Sequence, residues 1–139
     1  MGAEKTLQDF LIAQIEKGRI SAAHDISEGG LLVCLAEMLF DGDGLGASLA
    51  TPELGKSGRL DALLFGESQA RAVIAVRQED REDILQAAEQ IGVPALCLGQ
   101  TDQSDQLKLQ VSGETILDTK VSGLKNVWES AIPNQMEIA

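Results

Sequence analysis

The chain has 139 residues, a length that predicts one domain over residues 1–139 with a sizeable core. Hydrophobic residues make up 44% and charged residues 24%, a globular composition that excludes a disordered chain. The net charge is −11, which excludes the basic face that nucleic acids require and disfavours an anionic membrane surface as a partner.

The N-terminal third predicts a helix, a strand and a second helix in that order. Apolar residues recur at helical spacing from Thr6 onward, Thr6 and Asp9 resemble a capping box, and Gly18 supplies a stop. Residues 20–23 form a short apolar run that leads into a polar loop. Two adjacent glycines then open the segment LLVCLAEMLF, which is apolar all round and is expected to be a central, mostly buried helix.

The middle of the chain is less regular. Residues 45–49 predict a short strand and residues 52–58 a surface loop. Residues 60–65 fit a helix or a strand, because short apolar runs do not distinguish the two. The run AVIAV at 72–76 predicts a buried strand, and residues 79–91 predict an amphipathic helix that ends at Gly92 and Pro94.

The C-terminal third predicts strands followed by a helix. Residues 95–98 predict a strand, and QLKLQV at 106–111 alternates as a half-exposed strand does. A turn at 112–114 leads into residues 115–117. Residues 121–131 predict a last short helix closed by Pro133, with a loose tail after it. Helices mixed with strands on short connections indicate an α/β (α+β) sandwich, a mixed sheet covered by helices.

Cysteine and histidine usage bears on metal binding and on location. Two cysteines and one histidine are too few for a Cys/His zinc site, and we expect no metal ligands in this chain. Cys34 and Cys97 lie in apolar runs, so both are predicted to be buried and reduced, as in cytoplasmic proteins. No apolar stretch approaches the ~18 residues of a membrane span, and no secretion signal is visible.

The first candidate site is the polar loop and glycine pair within AHDISEGGL. Adjacent glycines at a helix start, each about 1 kcal/mol worse than alanine, suggest that something approaches the backbone closely. The free N–H groups there suit an anion, or the loop's carboxylates hold a ribose, an amine or a metal-bridged phosphate. Alternatively, Ser27 caps the helix, the glycines permit tight packing, and a backbone carbonyl satisfies His24. The candidate residues are His24, Asp25, Ser27, Glu28, Gly29 and Gly30.

The second candidate site is the polar triplet in FGESQAR, formed by Glu67, Ser68 and Gln69. It interrupts two apolar segments, so its side chains either point into a cleft and bind a small polar ligand or form a solvated turn. Nothing around Ser68 resembles a nucleophile elbow, and no catalytic residue is predicted in this chain.

Taken together and in this order, HDISEGGL, the helix with AEMLF, and LFGESQAR before a strand resemble the C-terminal domain of the aminoimidazole ribonucleotide synthetase superfamily. Within that superfamily the pattern is most similar to phosphoribosylformylglycinamidine synthases, subunit II of the small bacterial type. The closing KNVWESAIP extends the resemblance over almost the whole chain. The resemblance implies the second C-terminal domain of a longer enzyme built as a tandem duplication.

The resemblance also implies a function in purine biosynthesis. Such enzymes are ATP-dependent amidoligases: ATP activates the formamide oxygen of formylglycinamide ribonucleotide, and ammonia from glutamine displaces phosphate. ATP and Mg²⁺ are implied for the whole enzyme and none for this piece. The implied partners are the remaining domains of the parent chain, a glutaminase subunit and a small accessory subunit, with a cytoplasmic location.

The site residues acquire roles from the same resemblance. Glu67, Ser68 and Gln69 match a triplet that binds substrate in the first C-terminal domain of such enzymes. The loop from His24 to Gly30 then faces a ligand or the opposite half of the enzyme. The isolated piece is expected to be inactive, because catalytic groups, metal and nucleotide must be assembled in one site.

Two other functions remain open. The chain could be a stand-alone module that binds a phosphorylated metabolite or regulates another protein. It could also be a related phosphotransferase of the selenophosphate synthetase or thiamine monophosphate kinase type, which FGESQAR disfavours. A piece of a larger enzyme is expected to expose apolar surface where the missing domains pack.

Overall fold

The chain forms helices and strands in mixed order in the computed structural model, which describes residues 2–51, 59–67 and 69–138. The elements are α1 (Gly2–Glu16), β1 (Ile20–Asp25), α2 (Gly30–Phe40), β2 (Gly46–Thr51), α3 (Leu60–Phe65), β3 (Ala72–Val76), α4 (Arg81–Gln90), β4 (Gly99–Asp102), β5 (Gln106–Val111), β6 (Glu114–Lys120) and α5 (Val121–Ile138). They form two units, Met1–Cys34 with Gly66–Cys97, and Leu35–Phe65 with Leu98–Ala139. The predicted mixed α/β class is confirmed.

The first unit is built on an antiparallel pair of strands. β1 pairs with β3, with Ile20 opposite Val76 at one end of the ladder and Asp25 opposite Ala72 at the other. The core of this unit is a cluster of buried residues from α1 and α4, against which apolar residues of both strands pack. Its buried members are Phe10, Ile84 and Ala88, and its strand members are Ile20, Ile74 and Val76.

The second unit contains a four-stranded sheet in the order β4-β2-β5-β6. β2 runs parallel to β5, whereas the β2–β4 and β5–β6 pairs are antiparallel, so the sheet is mixed. Leu107, Leu109 and Val111 are buried and alternate with exposed or half-buried polar residues, as the alternation in QLKLQV predicts. The turn predicted between β5 and β6 is confirmed, with Ser112 and Gly113 at φ +51° and +83°.

Helix α2 is as buried as its composition predicts. Each of its residues is buried or half-buried, and Cys34, at 2% exposure, is among the least exposed. Residues 60–65, for which the sequence allowed either a helix or a strand, form a helix. The predicted surface loop at 52–58 lies outside the described residues.

The strand predicted over residues 95–98 is wrong, and so is the burial of Cys97. The strand begins at Gly99, and Cys97 is exposed. The reason is the ladder with β2, in which Leu49 lies opposite Gly99 and the next residue, Ala50, donates to the carbonyl oxygen of Leu98. Pairing with a distant strand therefore decided the boundary, and the apolar composition of 95–98 did not.

Strand β3 is less buried than its composition predicts. All five residues of AVIAV are half-buried, although the run reads as a strand covered on both faces. Within the described residues β3 pairs with β1 in a sheet of two strands. In a two-stranded sheet each strand has a neighbouring strand on one side only, so more of its surface is accessible to solvent.

Two helix boundaries also differ from prediction. Helix α1 begins at Gly2, and the Thr6 hydroxyl donates to the carbonyl oxygen of Gly2, so Thr6 lies inside the helix and does not cap it. Helix α5 continues through Pro133 to Ile138, where the sequence predicts a stop and a loose tail. A proline inside a helix removes one backbone donor and crowds the carbonyl four residues before it, which can kink a helix without ending it.

Candidate functional site

The structure brings the two candidate motifs together within the first unit. The backbone N–H of Gly29 donates to Oε1 of Glu67 at 3.1 Å. Close by, the N–H of Ile26 donates to the carbonyl oxygen of Arg71 at 3.0 Å. Residues 38 and 45 positions apart in sequence are thus joined by one charge-assisted and one backbone hydrogen bond, respectively. We call this arrangement of residues 24–30 with residues 66, 67 and 69–71 the two-loop site.

The glycine pair has a clear conformational reason. Gly29 and Gly30 have φ of +78° and +77°, in the left-handed region that L side chains rarely adopt. A Cβ on Gly29 would also lie 2.7 Å from Cγ2 of Val33. The helix begins at Gly30, three residues after Ser27, so Ser27 is not at the capping position that one interpretation gives it. The Glu67 carboxylate accepts the hydrogen bond at the helix start instead.

His24 lies at the end of β1 with its ring half-buried. Its Nδ1 is 2.7 Å from the carbonyl oxygen of Asp25 and 3.6 Å from Oδ1 of the same residue. Because a carbonyl oxygen only accepts, Nδ1 donates in this contact. The Cys34 thiol approaches the carbonyl oxygen of His24 at 3.9 Å. A backbone carbonyl does satisfy His24, as the structural interpretation of the loop expects.

The remaining polar residues of the two-loop site face solvent. Ser27, Glu28, Glu67 and Gln69 are exposed, and Ser68 lies outside the described residues. A hydroxyl, an amide and carboxylates on a glycine turn can bind the polar groups of a small ligand by hydrogen bonds. The binding roles that the sequence analysis assigns to these residues stay predictions.

Sequence reasoning missed two parts of this site. Ala70 has φ of +58°, a left-handed conformation in a non-glycine residue that composition does not reveal. Arg71 contributes its carbonyl oxygen to the contact with Ile26, which depends on the register of β1 against β3. The motif FGESQAR contains both residues, but nothing in it marks them out.

The described residues do not assemble a cluster of three or more metal-ligating side chains around the two loops. Across 2–51, 59–67 and 69–138, no three Asp, Glu, His or Cys side chains lie close enough together to hold a metal ion. Two open grooves of about 460 and 620 Å³ lie along α1, α4 and the segment after α4, and the residues that line them belong to neither motif. Within the same ranges, no helix has the length and apolar character needed to cross a bilayer.

A family model described as AIR synthase related protein, C-terminal domain, matches residues 2–112. The chain belongs to this family. The match covers the two-loop site, and the resemblance on which the sequence analysis relied is therefore confirmed. The AIR synthase related family also accounts for the mixed α/β fold.

The curated proteins that the chain resembles include two bacterial proteins of the same name. Phosphoribosylformylglycinamidine synthase subunit PurL of Salinibacter ruber is 39% identical over 132 residues, which are 94% of this chain and 17% of that protein. The protein of the same name from Thermoanaerobacter sp. is 37% identical over 135 residues, 96% of this chain and 18% of that protein. The chain therefore spans less than a fifth of the length of these relatives.

Solved structures share the fold. Thermotoga maritima PurL complexed with FGAR superposes with a TM-score of 0.78 at 21% identity, over 88% of this chain and 21% of that chain. The same protein complexed with ATP gives a TM-score of 0.77 at 21% identity, over 87% of this chain and 21% of that chain. The structure of PurLQS from Thermotoga maritima gives a TM-score of 0.77 at 20% identity, over 88% of this chain and 21% of that chain. At this identity the likeness concerns the fold alone.

Proposed function

We propose that residues 1–139 form one C-terminal-type domain of a phosphoribosylformylglycinamidine synthase, the second such domain of a longer chain. The whole enzyme would convert formylglycinamide ribonucleotide, ATP and glutamine-derived ammonia into the amidine in cytoplasmic purine biosynthesis. The observation that carries the proposal is the 37–39% identity to synthase subunits named PurL over 94–96% of this chain. The alternatives, a stand-alone module and a phosphotransferase, have no comparable support.

The two-loop site supports a binding role for this domain. Exposed Ser27, Glu28 and Gln69 offer a hydroxyl, a carboxylate and an amide on a backbone held at two points. Such groups suit the hydroxyl and amide parts of a ribonucleotide, which both donate and accept hydrogen bonds. The proposal gives this domain the task of contacting the substrate, and it assigns no bond-making step to its residues.

ATP and Mg²⁺ belong to the whole enzyme in this proposal. Of the described residues, no group of three or more carboxylates, histidines or cysteines is placed to hold a metal ion, and the proposal assigns no Mg²⁺-nucleotide site to this domain. We propose that other domains supply that site, and that a glutaminase subunit and a small accessory subunit supply ammonia and complete the complex. The isolated domain is then inactive.

An exposed apolar stripe on α5 supports a contact with the missing domains. Val127 and Trp128 are 70% and 57% exposed, and Ala131, one turn further along the helix, is exposed as well. The Trp128 ring packs at one side against Phe40, with ring centroids 5.6 Å apart. Tryptophan is enriched at buried interfaces, and a contact with the rest of the parent chain would cover this stripe.

A calorimetric titration of the isolated domain with formylglycinamide ribonucleotide, with and without Mg-ATP, tests the proposal. We expect saturable binding that Mg-ATP leaves unchanged. Gln69→Ala removes one hydrogen-bonding side chain and should weaken binding by about threefold to tenfold. Gln90→Ala makes the same change on the exposed surface of α4 and should leave the affinity as it is.

Three results would each contradict part of the proposal. No heat at millimolar ligand would remove substrate contact from the proposal and leave a scaffold. Equal losses in Gln69→Ala and Gln90→Ala would place the binding site elsewhere. Formation of the amidine by the isolated domain from the ribonucleotide, ammonia and ATP would contradict its expected inactivity.

A further inference from the structure

The hydrogen bond between Gly29 and Glu67 lies where a helix leaves its backbone unsatisfied. Gly29 immediately precedes Gly30, the first residue of α2, so its N–H has no acceptor within the helix. The helix dipole adds a positive partial charge at the same end. The Glu67 carboxylate, with Oε1 at 3.1 Å from the Gly29 nitrogen, therefore takes the place that an anion would otherwise favour.

From this contact we infer that Glu67 is a positioning residue. It fixes the glycine turn of residues 28–30 through the Gly29 amide and does not itself contact the substrate. This inference rests on the proposed function and deepens it, because it separates Glu67 from Gln69 within one motif. It also differs from the substrate-contacting role that the family resemblance implies for Glu67.

The conformation of the turn explains why an anchor is needed. Gly29 and Gly30 are both left-handed, and glycine loses more conformational freedom on folding than any other residue. Two consecutive glycines without an external contact would sample many backbone conformations. A charge-assisted hydrogen bond to Gly29 selects one of them, and the Ile26–Arg71 backbone bond holds the other end of the loop.

Electrostatics favours the same division of roles. The substrate carries a phosphate, and the Glu67 carboxylate repels a phosphate that approaches the start of α2. The exposed Glu28 carboxylate adds to this repulsion. The neutral parts of the ribonucleotide are then the ones that face the loop, where Ser27 and Gln69 are exposed.

Amide hydrogen exchange measured by NMR on the domain tests the inference without any ligand. Glu67→Ala should raise the exchange rate at Gly29 by at least about tenfold, since it removes a hydrogen bond to a charged group. Glu67→Gln keeps an oxygen that can accept, so we expect it to restore most of the protection. Glu89→Ala removes an exposed carboxylate on α4 and is the matched control, with no change expected at Gly29.

A second measurement separates positioning from contact. Formylglycinamide ribonucleotide is added to the domain, and the Gly29 amide proton signal is followed together with the affinity. A positioning role predicts that the signal keeps its place and that Glu67→Gln binds within about twofold of the unchanged domain, while Gln69→Ala binds more weakly. Displacement of the Gly29 signal to its Glu67→Ala position, or loss of binding in Glu67→Gln, would overturn the inference.

Different results would contradict the positioning role of Glu67 and the proposed contact with the substrate. Unchanged exchange at Gly29 in Glu67→Ala overturns the positioning role whether or not the ribonucleotide binds. Absence of binding contradicts the proposed substrate contact, and the exchange experiment still decides whether Glu67 anchors the turn.

Discussion

At the scale of single residues, two independent constraints act on Gly29. Its φ of +78° disfavours any L side chain, and a Cβ at this position would approach Val33 within 2.7 Å. Gly92, after α4, shares the first constraint, with φ of +74°, but nothing lies within 4 Å of its ideal Cβ. A comparison of substitutions at Gly29 and Gly92 therefore distinguishes the cost of backbone strain from the cost of steric crowding.

Substitution of Gly29 by alanine should lower the free energy of unfolding by more than the same change at Gly92. Backbone strain of this kind costs about 1–2 kcal/mol at either position, and the displaced Val33 side chain adds to that cost at Gly29. Urea denaturation of both variants measures the difference. Equal losses of stability would mean that Val33 moves aside freely and that crowding contributes nothing.

At the scale of elements, the start of α5 depends on a residue from a distant turn. Asp105, between β4 and β5, accepts hydrogen bonds from the Ser122 N–H at 2.9 Å and from the Ser122 hydroxyl at 2.6 Å. Its carbonyl oxygen accepts the N–H of Val121 at 3.0 Å. A carboxylate thus caps this helix from outside the helix's own sequence, where a local serine or aspartate would ordinarily do so.

The cap makes the stability of the domain depend on pH. Hydrogen bonds from the Ser122 hydroxyl, and then from the Ser122 N–H, lower the pKa of Asp105 in the folded state. Because the pKa of Asp105 is lower in the folded state than in the unfolded state, ionisation of this carboxylate stabilises the fold. This stabilisation is complete above the unfolded pKa of about 3.9 and is lost as the pH falls through the folded pKa. Asp105→Asn, which tolerates the same left-handed backbone, should remove this contribution.

The melting temperature measured from about pH 5 down to about pH 2.5 checks the effect. The unchanged domain should lose more stability than Asp105→Asn over this interval. Ser122→Ala removes the hydroxyl donor and should give an intermediate slope. Parallel curves for all three proteins would show that the Asp105 carboxylate contributes nothing to the acid sensitivity.

At the scale of the whole molecule, the strongest packing of the second unit lies in β5. Leu107 and Leu109 are fully buried, and β5 has a partner strand on each side, β2 and β6. Leu109 pairs with Leu49 on one side and Leu117 on the other. A change of volume at Leu109 therefore disturbs three strands at once.

Leu109→Ala should lower the free energy of unfolding by about 2–5 kcal/mol, the usual range when a buried leucine is truncated. Leu96 is 61% exposed and provides the matched control, with a loss of no more than about 0.5 kcal/mol expected for Leu96→Ala. Chemical denaturation followed by circular dichroism measures both. A small loss in Leu109→Ala would contradict the tight packing around β5.

Local residue patterns were enough to predict the class of the fold and most of its elements. Helical spacing predicted α1 and α4, and alternation predicted β5, because side-chain periodicity depends only on neighbouring residues. The motifs around Gly29 and Glu67 also carried the family, since each is a local string of residue types. These features need no knowledge of which distant segments meet.

Other features depend on residues that are distant in sequence, and local patterns did not predict them. Pairing with β2 set the beginning of β4 and left Cys97 exposed, and the width of its sheet limited the burial of β3. The anchoring of Gly29 by Glu67 and the capping of Ser122 by Asp105 join residues 38 and 17 positions apart. Such contacts follow from the path of the whole chain, because a hydrogen bond depends on distance and direction in space, which local periodicity does not encode.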